Sequence, residues 1–146
     1  ACMGQYDHLH LTVVQKPEIL VQINAAFQKA VGDPNVQVTY GAPTVIYVSC
    51  KNEDEEIIKG CNAGVVMENM LLEAADLGLG MTNEEKKSAY ELMLAQAKVL
   101  FANEEITKLL QIPEGFRTVS AIAVGISADA LQERTLGTDK ISTTTL

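Results

Sequence analysis

The chain has 146 residues, 47% of them hydrophobic and 21% charged, which suits one soluble domain with a real core. A formal net charge of −8 argues against nucleic acid and anionic membrane surfaces as partners. No apolar run approaches the roughly 18–20 residues that a membrane span needs.

Cys2, Cys50 and Cys61 are odd in number and irregularly spaced. With no signal-like N-terminus, they point to reduced thiols in a cytoplasm, each a small buried hydrophobe before anything else. A β-like run, Leu9–Val14, begins almost at once, and position 1 is not Met. Lys16-Pro17-Glu18 opens a helix, since proline suits a first turn and an acid there faces the positive dipole end. Ile19, Leu20, Ile23, Ala26, Phe27 and Ala30 keep helical spacing to about Val31. Gly32-Asp33-Pro34-Asn35 is a turn by composition. After Val36–Tyr40 and Gly41-Ala42-Pro43, the β-branched run Thr44–Ser49 is too continuous for a one-sided strand and is expected at the centre of its sheet. Lys51–Lys59 is expected to be a solvated charged loop or short helix.

The stretch Gly60–Gly80 organises the rest. Asn62, Asn69, Glu73 and Asp76 form one narrow polar stripe at helical pitch, and the remaining circumference is apolar apart from Glu68 at its edge. A helix with that much apolar girth is either a domain's central helix or one face of a subunit interface. Gly78 is expected to close it in the left-handed conformation, with Leu79 making the hydrophobic contact that follows. Thr82 or Asn83 caps a second helix with an apolar face from Ala89 to Leu100, and Asn103 caps a short one through Leu110. Ile112–Phe116 is a turn and Thr118–Ile126 a strand of small residues. In the polar tail, the β-prone run Ile141–Thr145 has no local partner and is expected to pair with another subunit. Together these elements predict a three-layer α+β domain with a mostly antiparallel or mixed sheet.

The residues carry no strong catalytic signature: no phosphate-binding glycine loop and no CxxC pair. His8 and His10 alternate on a strand and share a face, but two histidines without a third ligand read first as solvent-facing. Gly78-Leu79-Gly80 is permissive backbone, and the amides of Met81–Asn83 beyond it form a plausible perch for an anion or an electron-rich ring edge. Arg134 and Lys140, with Arg117 upstream, are the cations near the tail, and they read first as solvated surface charge.

Several short pieces stand in a set order: His10-Leu11-Thr12-Val13-Val14, Tyr40-Gly41-Ala42-Pro43-Thr44-Val45-Ile46 and Glu68-Asn69-Met70-Leu71-Leu72-Glu73-Ala74-Ala75. Leu77-Gly78-Leu79-Gly80, Ile112-Pro113-Glu114-Gly115 and Ala123-Val124-Gly125 follow. Taken together, their order resembles the FMN-dependent nitroreductase family, its small clostridial-type members in particular. The resemblance implies an α/β/α sandwich spanning 1–146 as a single domain, dimerised through its central helix, with the C-terminal strand exchanged between subunits. It further implies FMN at the interface, passing electrons from NAD(P)H to a nitroaromatic, quinone or similar small acceptor by a ping-pong mechanism.

Carried over by position, the cofactor-binding residues are Gln5 and Asp7, then Gly80, Met81, Thr82 and Asn83 for the ring edge, with Arg134 and Lys140 for the phosphate. Three departures stand out. The family's opening Arg-x-Ser-x-Arg-like helix has no counterpart here, so the domain reads as N-terminally shortened. Gln5 and Asp7 stand where Asn and Gln are expected. The segment from Met81 to Leu110 is longer than usual. The competing expectation is a degenerate homodimeric scaffold or flavin-storage module of the same fold; a non-flavin enzyme built on Glu68 or Cys61 has little behind it.

Overall fold

A computed structural model describes residues 4, 6–79, 99–125, 142 and 144. Its framework is an antiparallel sheet of three strands, β1 (Leu9–Val14), β2 (Thr44–Lys51) and β3 (Phe116–Val124), in the order β1-β2-β3. The β-branched run is central, as its composition predicts, and β2 buries Val45, Tyr47, Val48, Ser49 and Cys50. Register is continuous along β1, from Leu9 opposite Cys50 to Val14 opposite Val45. β3 carries one extra residue: Val48 pairs with Ser120 but Ser49 with Thr118, leaving Val119 as a bulge.

Helix α1 (Pro17–Val31) begins on proline and ends at Gly32, whose φ of +73° lets it close the last turn onto the Gln28 carbonyl. Its Leu20, Ile23, Ala26 and Phe27 fall on one stripe and pack with Val14, Val45 and Tyr47 on one face of the sheet. Leu100, from a helical stretch over 99–102, joins that cluster. So do Ile106 and Leu110, at and just beyond α3 (Glu104–Leu109). Asn103 caps α3 as expected, its side-chain oxygen accepting from the Ile106 amide at 3.1 Å. The loop after α1 is held by one residue: Asn24 accepts from the Val38 and Thr39 amides and donates to the buried Thr39 hydroxyl. Past it, the Ala42 amide bonds to the Thr39 carbonyl across Tyr40 and Gly41, both at positive φ, which is a type I′ turn.

Helix α2 (Glu56–Asp76) covers the opposite face, contacting β2 and β3. Strand alternation sends Val48 and Cys50 to it, and the Cys50 thiol reaches the Lys59 carbonyl at 3.8 Å. The result is the expected three layers, α1 and α3 on one side of the sheet and α2 on the other. The helix ends in a Schellman motif: the Leu79 amide bonds to the Ala74 carbonyl at 2.8 Å, the Gly78 amide to that of Ala75, and Gly78 has φ +68°.

Two details differ from the sequence expectation. α2 starts four residues before Gly60, and Lys59, expected in solvent, is buried. Its inward stripe runs through Lys59, Asn62, Ala63, Val66, Met67, Met70, Leu71 and Ala74, so Asn62 turns to the sheet while Asn69, Glu73 and Asp76 stay in water. Apolar surface then remains outside: Ile57 is 70%, Val65 49% and Leu72 60% exposed. The residues of a helix apolar on more than half its girth cannot all meet one sheet; the sheet claims one stripe and leaves the other open. The tail residues 141, 143 and 145 lie outside the described residues, as does most of the second apolar helix.

Candidate functional site

The positions singled out by sequence stand at opposite ends of α2. Asp7 belongs to a 3-10 turn, Tyr6–His8, that leads into β1 beside the first turn of α2. Gly78 and Leu79 close the other end, about 30 Å along a helix of this length. Gln5, Gly80, Met81, Thr82, Asn83, Arg134 and Lys140 lie outside the described residues. Within one chain Asp7 and the Gly78 terminus are therefore apart.

At the Asp7 end, opposite charges are interleaved. Lys51 Nζ donates to Asp7 Oδ2 at 3.0 Å and lies 3.8 Å from Glu53 Oε1. Buried Lys59 donates to the Asn52 carbonyl at 2.9 Å and to Glu56 Oε1 at 3.1 Å, while Arg117 pairs with the other oxygen of Glu56. The Lys51 ammonium, hydrogen-bonded to Asp7, holds that carboxyl below its ordinary range, and Asp7 in turn raises Lys51. Glu56 is likewise lowered, chiefly by its bond to Lys59 and then by Arg117.

His8 does not lie on the strand with His10, as expected; it closes the 3-10 turn. Its Nδ1 sits 2.7 Å from Asp54 Oδ1, and its Nε2 lies 3.9 Å from Asp7 Oδ2. The Asp54 side chain is only 10% exposed, and its second oxygen is buried with no partner among the described residues. His10 instead meets the Phe116 ring edge-on, centroids 6.0 Å apart. An open cavity of about 330 Å³ lies alongside, lined by Lys51, Asn52, Glu53, Glu114, Gly115 and Phe116. Sequence reasoning missed Lys51, Asp54 and Lys59 because KNEDEEIIK reads as a solvated run. The available signal was Lys59 itself, which falls four residues before Ala63 and so on the inward stripe of α2.

Acid should loosen this corner. Carboxyls whose folded pKa is depressed contribute stability above their ordinary values, 3.8 for Asp7 and 4.5 for Glu56, and lose it as pH falls through the folded ones. The Asp7→Asn variant is expected to flatten part of the acid limb of the unfolding curve between pH 5 and 2, read by circular dichroism. Unchanged acid limbs in both Asp7→Asn and Glu56→Gln would show that these exposed pairs contribute nothing measurable.

Among the described residues no group of three or more His, Cys, Asp or Glu could hold a metal ion. Nor is any described helix long and apolar enough to cross a membrane. Cys50 is buried and Cys61 exposed. Cys61 and Glu68 both face outward on α2, and neither lines the cavity beside Lys51 and Phe116.

An antiparallel sheet between an α1–α3 layer and one long helix is an α+β sandwich, and solved structures share it. One is an FMN-dependent nitroreductase from Clostridium difficile R20291, 24% identical, at a TM-score of 0.63 over 96% of this chain and 80% of that one. A second is a nitroreductase with bound FMN from Desulfitobacterium hafniense DCB-2, 19% identical, at a TM-score of 0.72 over 97% and 78%. A third is a mutant of an FMN and NADPH-dependent nitroreductase derived from Sphingopyxis sp. strain HMH, 12% identical, at a TM-score of 0.63 over 97% and 81%. No curated protein matches the chain. The sequence profile of the Nitroreductase family matches residues 6–126, and the chain belongs to that family.

Proposed function

We propose that this protein is a flavin-dependent oxidoreductase that works as a homodimer in the cytoplasm. It passes electrons from NAD(P)H to a nitroaromatic, quinone or similar small acceptor in two half-reactions. The proposal rests on family membership and on one observation: the apolar outer stripe of α2, with Ile57, Val65 and Leu72 in solvent. Joined to a second copy across a dyad, that stripe would be covered. A two-fold seam would also let the Asp7 end of one subunit approach the Gly78 end of its partner, completing a site that neither chain holds alone.

FMN bears a phosphate dianion and a planar ring with an imide donor edge, and the described residues fit it in part. Asp7 offers an acceptor, and Gly78, with nothing within 4 Å of where a Cβ would stand, offers approach to a ring. Lys51, Lys59 and Arg117 are committed to carboxylates; on the family resemblance, the phosphate is assigned to Arg134 and Lys140 and the ring edge to the amides of Gly80, Met81, Thr82 and Asn83. When bound, FMN supplies the two-electron relay between donor and acceptor, and the protein's part is to position it and exclude competing reactions. The domain is taken as single over 1–146.

The commitment of those three cations also favours a second reading, a homodimeric scaffold or flavin-storage module without turnover. Flavin absorbance of the purified protein, followed by NAD(P)H oxidation with a quinone or nitroaromatic, separates them. A yellow protein with turnover supports the enzyme; a yellow protein without turnover supports storage. A colourless protein that takes up no added FMN removes the flavin from both.

A further inference from the structure

We infer that His8, oriented by Asp54, is the proton donor to the electron acceptor at the site that Asp7 lines; this rests on the oxidoreductase reading above. The geometry is that of an imidazole committed at one nitrogen and available at the other. With Nδ1–H donating to Asp54 Oδ1 across 2.7 Å, the ring's rotation and tautomer are fixed and Nε2 is left as the exchanging nitrogen. That nitrogen faces the Asp7 side, 3.9 Å from Oδ2. Asp54 is nine-tenths buried, and its Oδ2 meets no other donor among the described residues, so the imidazole is its one described partner. His8 itself is 17% exposed, open enough to exchange a proton with solvent and sheltered enough to hold one orientation.

The charged groups around the ring are Asp54 from the β2–α2 loop, Asp7 on its own turn, and Lys51 from the end of β2, which neutralises Asp7 and also meets Glu53. The Glu56, Lys59 and Arg117 group lies beyond them on α2 and β3. Of the two histidines only His8 has this arrangement, since His10 is edge-on to Phe116.

Such a donor answers a chemical need. A quinone reduced by two electrons takes a hydride equivalent and one further proton: benzoquinone + H⁻ + H⁺ gives hydroquinone, with NAD(P)H supplying the hydride and leaving as NAD(P)⁺. The hydride carries one proton to the product, and the oxygen left negative needs the other. Imidazolium at His8 gives that proton from Nε2 and becomes neutral imidazole, still bonded to Asp54 through Nδ1. Solvent at the exposed edge of the turn then restores it. A bare structural role, in which His8 and Asp54 only pin the turn Tyr6–His8 to the β2–α2 loop, would leave the two half-reactions equally affected by any substitution.

The experiment is stopped-flow kinetics on the FMN-loaded dimer, with NAD(P)H for one half-reaction and 1,4-benzoquinone for the other. His8→Gln should slow the benzoquinone step by roughly 100-fold, the lower end for general acid catalysis, and leave NAD(P)H consumption and FMN uptake unchanged. The solvent deuterium isotope effect on the benzoquinone step should vanish in that variant, and free imidazole should restore the rate of His8→Ala. Nitrogen NMR on the cofactor-free chain, with His10→Gln to assign the signals, should show a hydrogen-bonded Nδ1 proton on His8 that Asp54→Asn removes.

Equal slowing of both half-reactions, no slowing, or no imidazole rescue overturns the proton-donor role while the flavoenzyme reading stands. Absence of the Nδ1 signal from the unsubstituted chain overturns it even if the variants fail to fold. An unsubstituted protein that binds no FMN overturns both.

Discussion

Val65→Asp is expected to give a folded monomer that has lost its flavin. Val65 is about half exposed on the outer stripe of α2, so in the lone chain an aspartate there is solvated and the three layers persist. In the proposed dimer the same carboxylate enters an apolar seam twice, once from each subunit. Burying an unpaired charge costs several kcal/mol even after relaxation, and about 3 kcal/mol already weakens association by more than 100-fold. Analytical ultracentrifugation at micromolar protein should show the change of mass, circular dichroism an intact helix signal, and absorbance the loss of bound FMN. Leu72→Asp, more exposed and on the same stripe, should behave alike. A dimer of undiminished affinity in both variants would place the subunit contact, if there is one, elsewhere on the surface.

The second large effect is confined to the chain's own core. Phe27 is completely buried in the cluster with Ile23, Tyr47, Leu100 and Ile106. Phe27→Ala should cost about 3–5 kcal/mol through lost transfer energy and the cavity left behind. That is a large share of the roughly 5–15 kcal/mol that a domain has in total. Val21, on the same helix but 66% exposed, should lose no more than about 0.5 kcal/mol when replaced by alanine. Urea denaturation of the cofactor-free protein measures both without contributions from ligand binding. Similar midpoints for the two variants would mean that the layer over this face of the sheet is far less tightly packed than described.

What the sequence reveals and what it hides divide along physical lines. The α1 stripe, the centrality of Thr44–Ser49, the Asn103 cap and the Gly78 terminus were all legible, because each depends on periodicity or on one residue's local chemistry. The nitroreductase resemblance was legible because order along the chain survives where single motifs are loose. Asn62 was assigned to the wet stripe for its polarity, yet helix rotation is set by the sum of Val66, Met67, Met70 and Leu71, which drag it inward. Lys59 was assigned to water because its neighbours are charged. What buries it is its place on the inward stripe, where Glu56 one turn back and the Asn52 carbonyl seven residues back hold its ammonium. The His8–Asp54 pair joins residues 46 positions apart, and no local pattern announces it. Of the residues carried over for the cofactor, Asp7 alone falls among those described.

The unpaired Val119 has a bearing on how the two layers are joined. Above it, Ile122 and Ser120 share their side of the sheet with Ile46 and Val48, toward α2. Were Val119 paired opposite Ser49 rather than bulged, that alternation would carry Thr118 and Phe116 to the α2 side and turn Arg117 away. The insertion inverts the lower half: Thr118 comes beside Ser49, with their hydroxyls 3.2 Å apart, Phe116 comes level with Lys51, and Arg117 is handed across to Glu56. One surplus backbone unit thus acts as a commutator for the strand: drawing Val119 into the ladder opposite Ser49 would uncouple β3 from the first turn of α2, whereas deleting it would leave Arg117 facing Glu56.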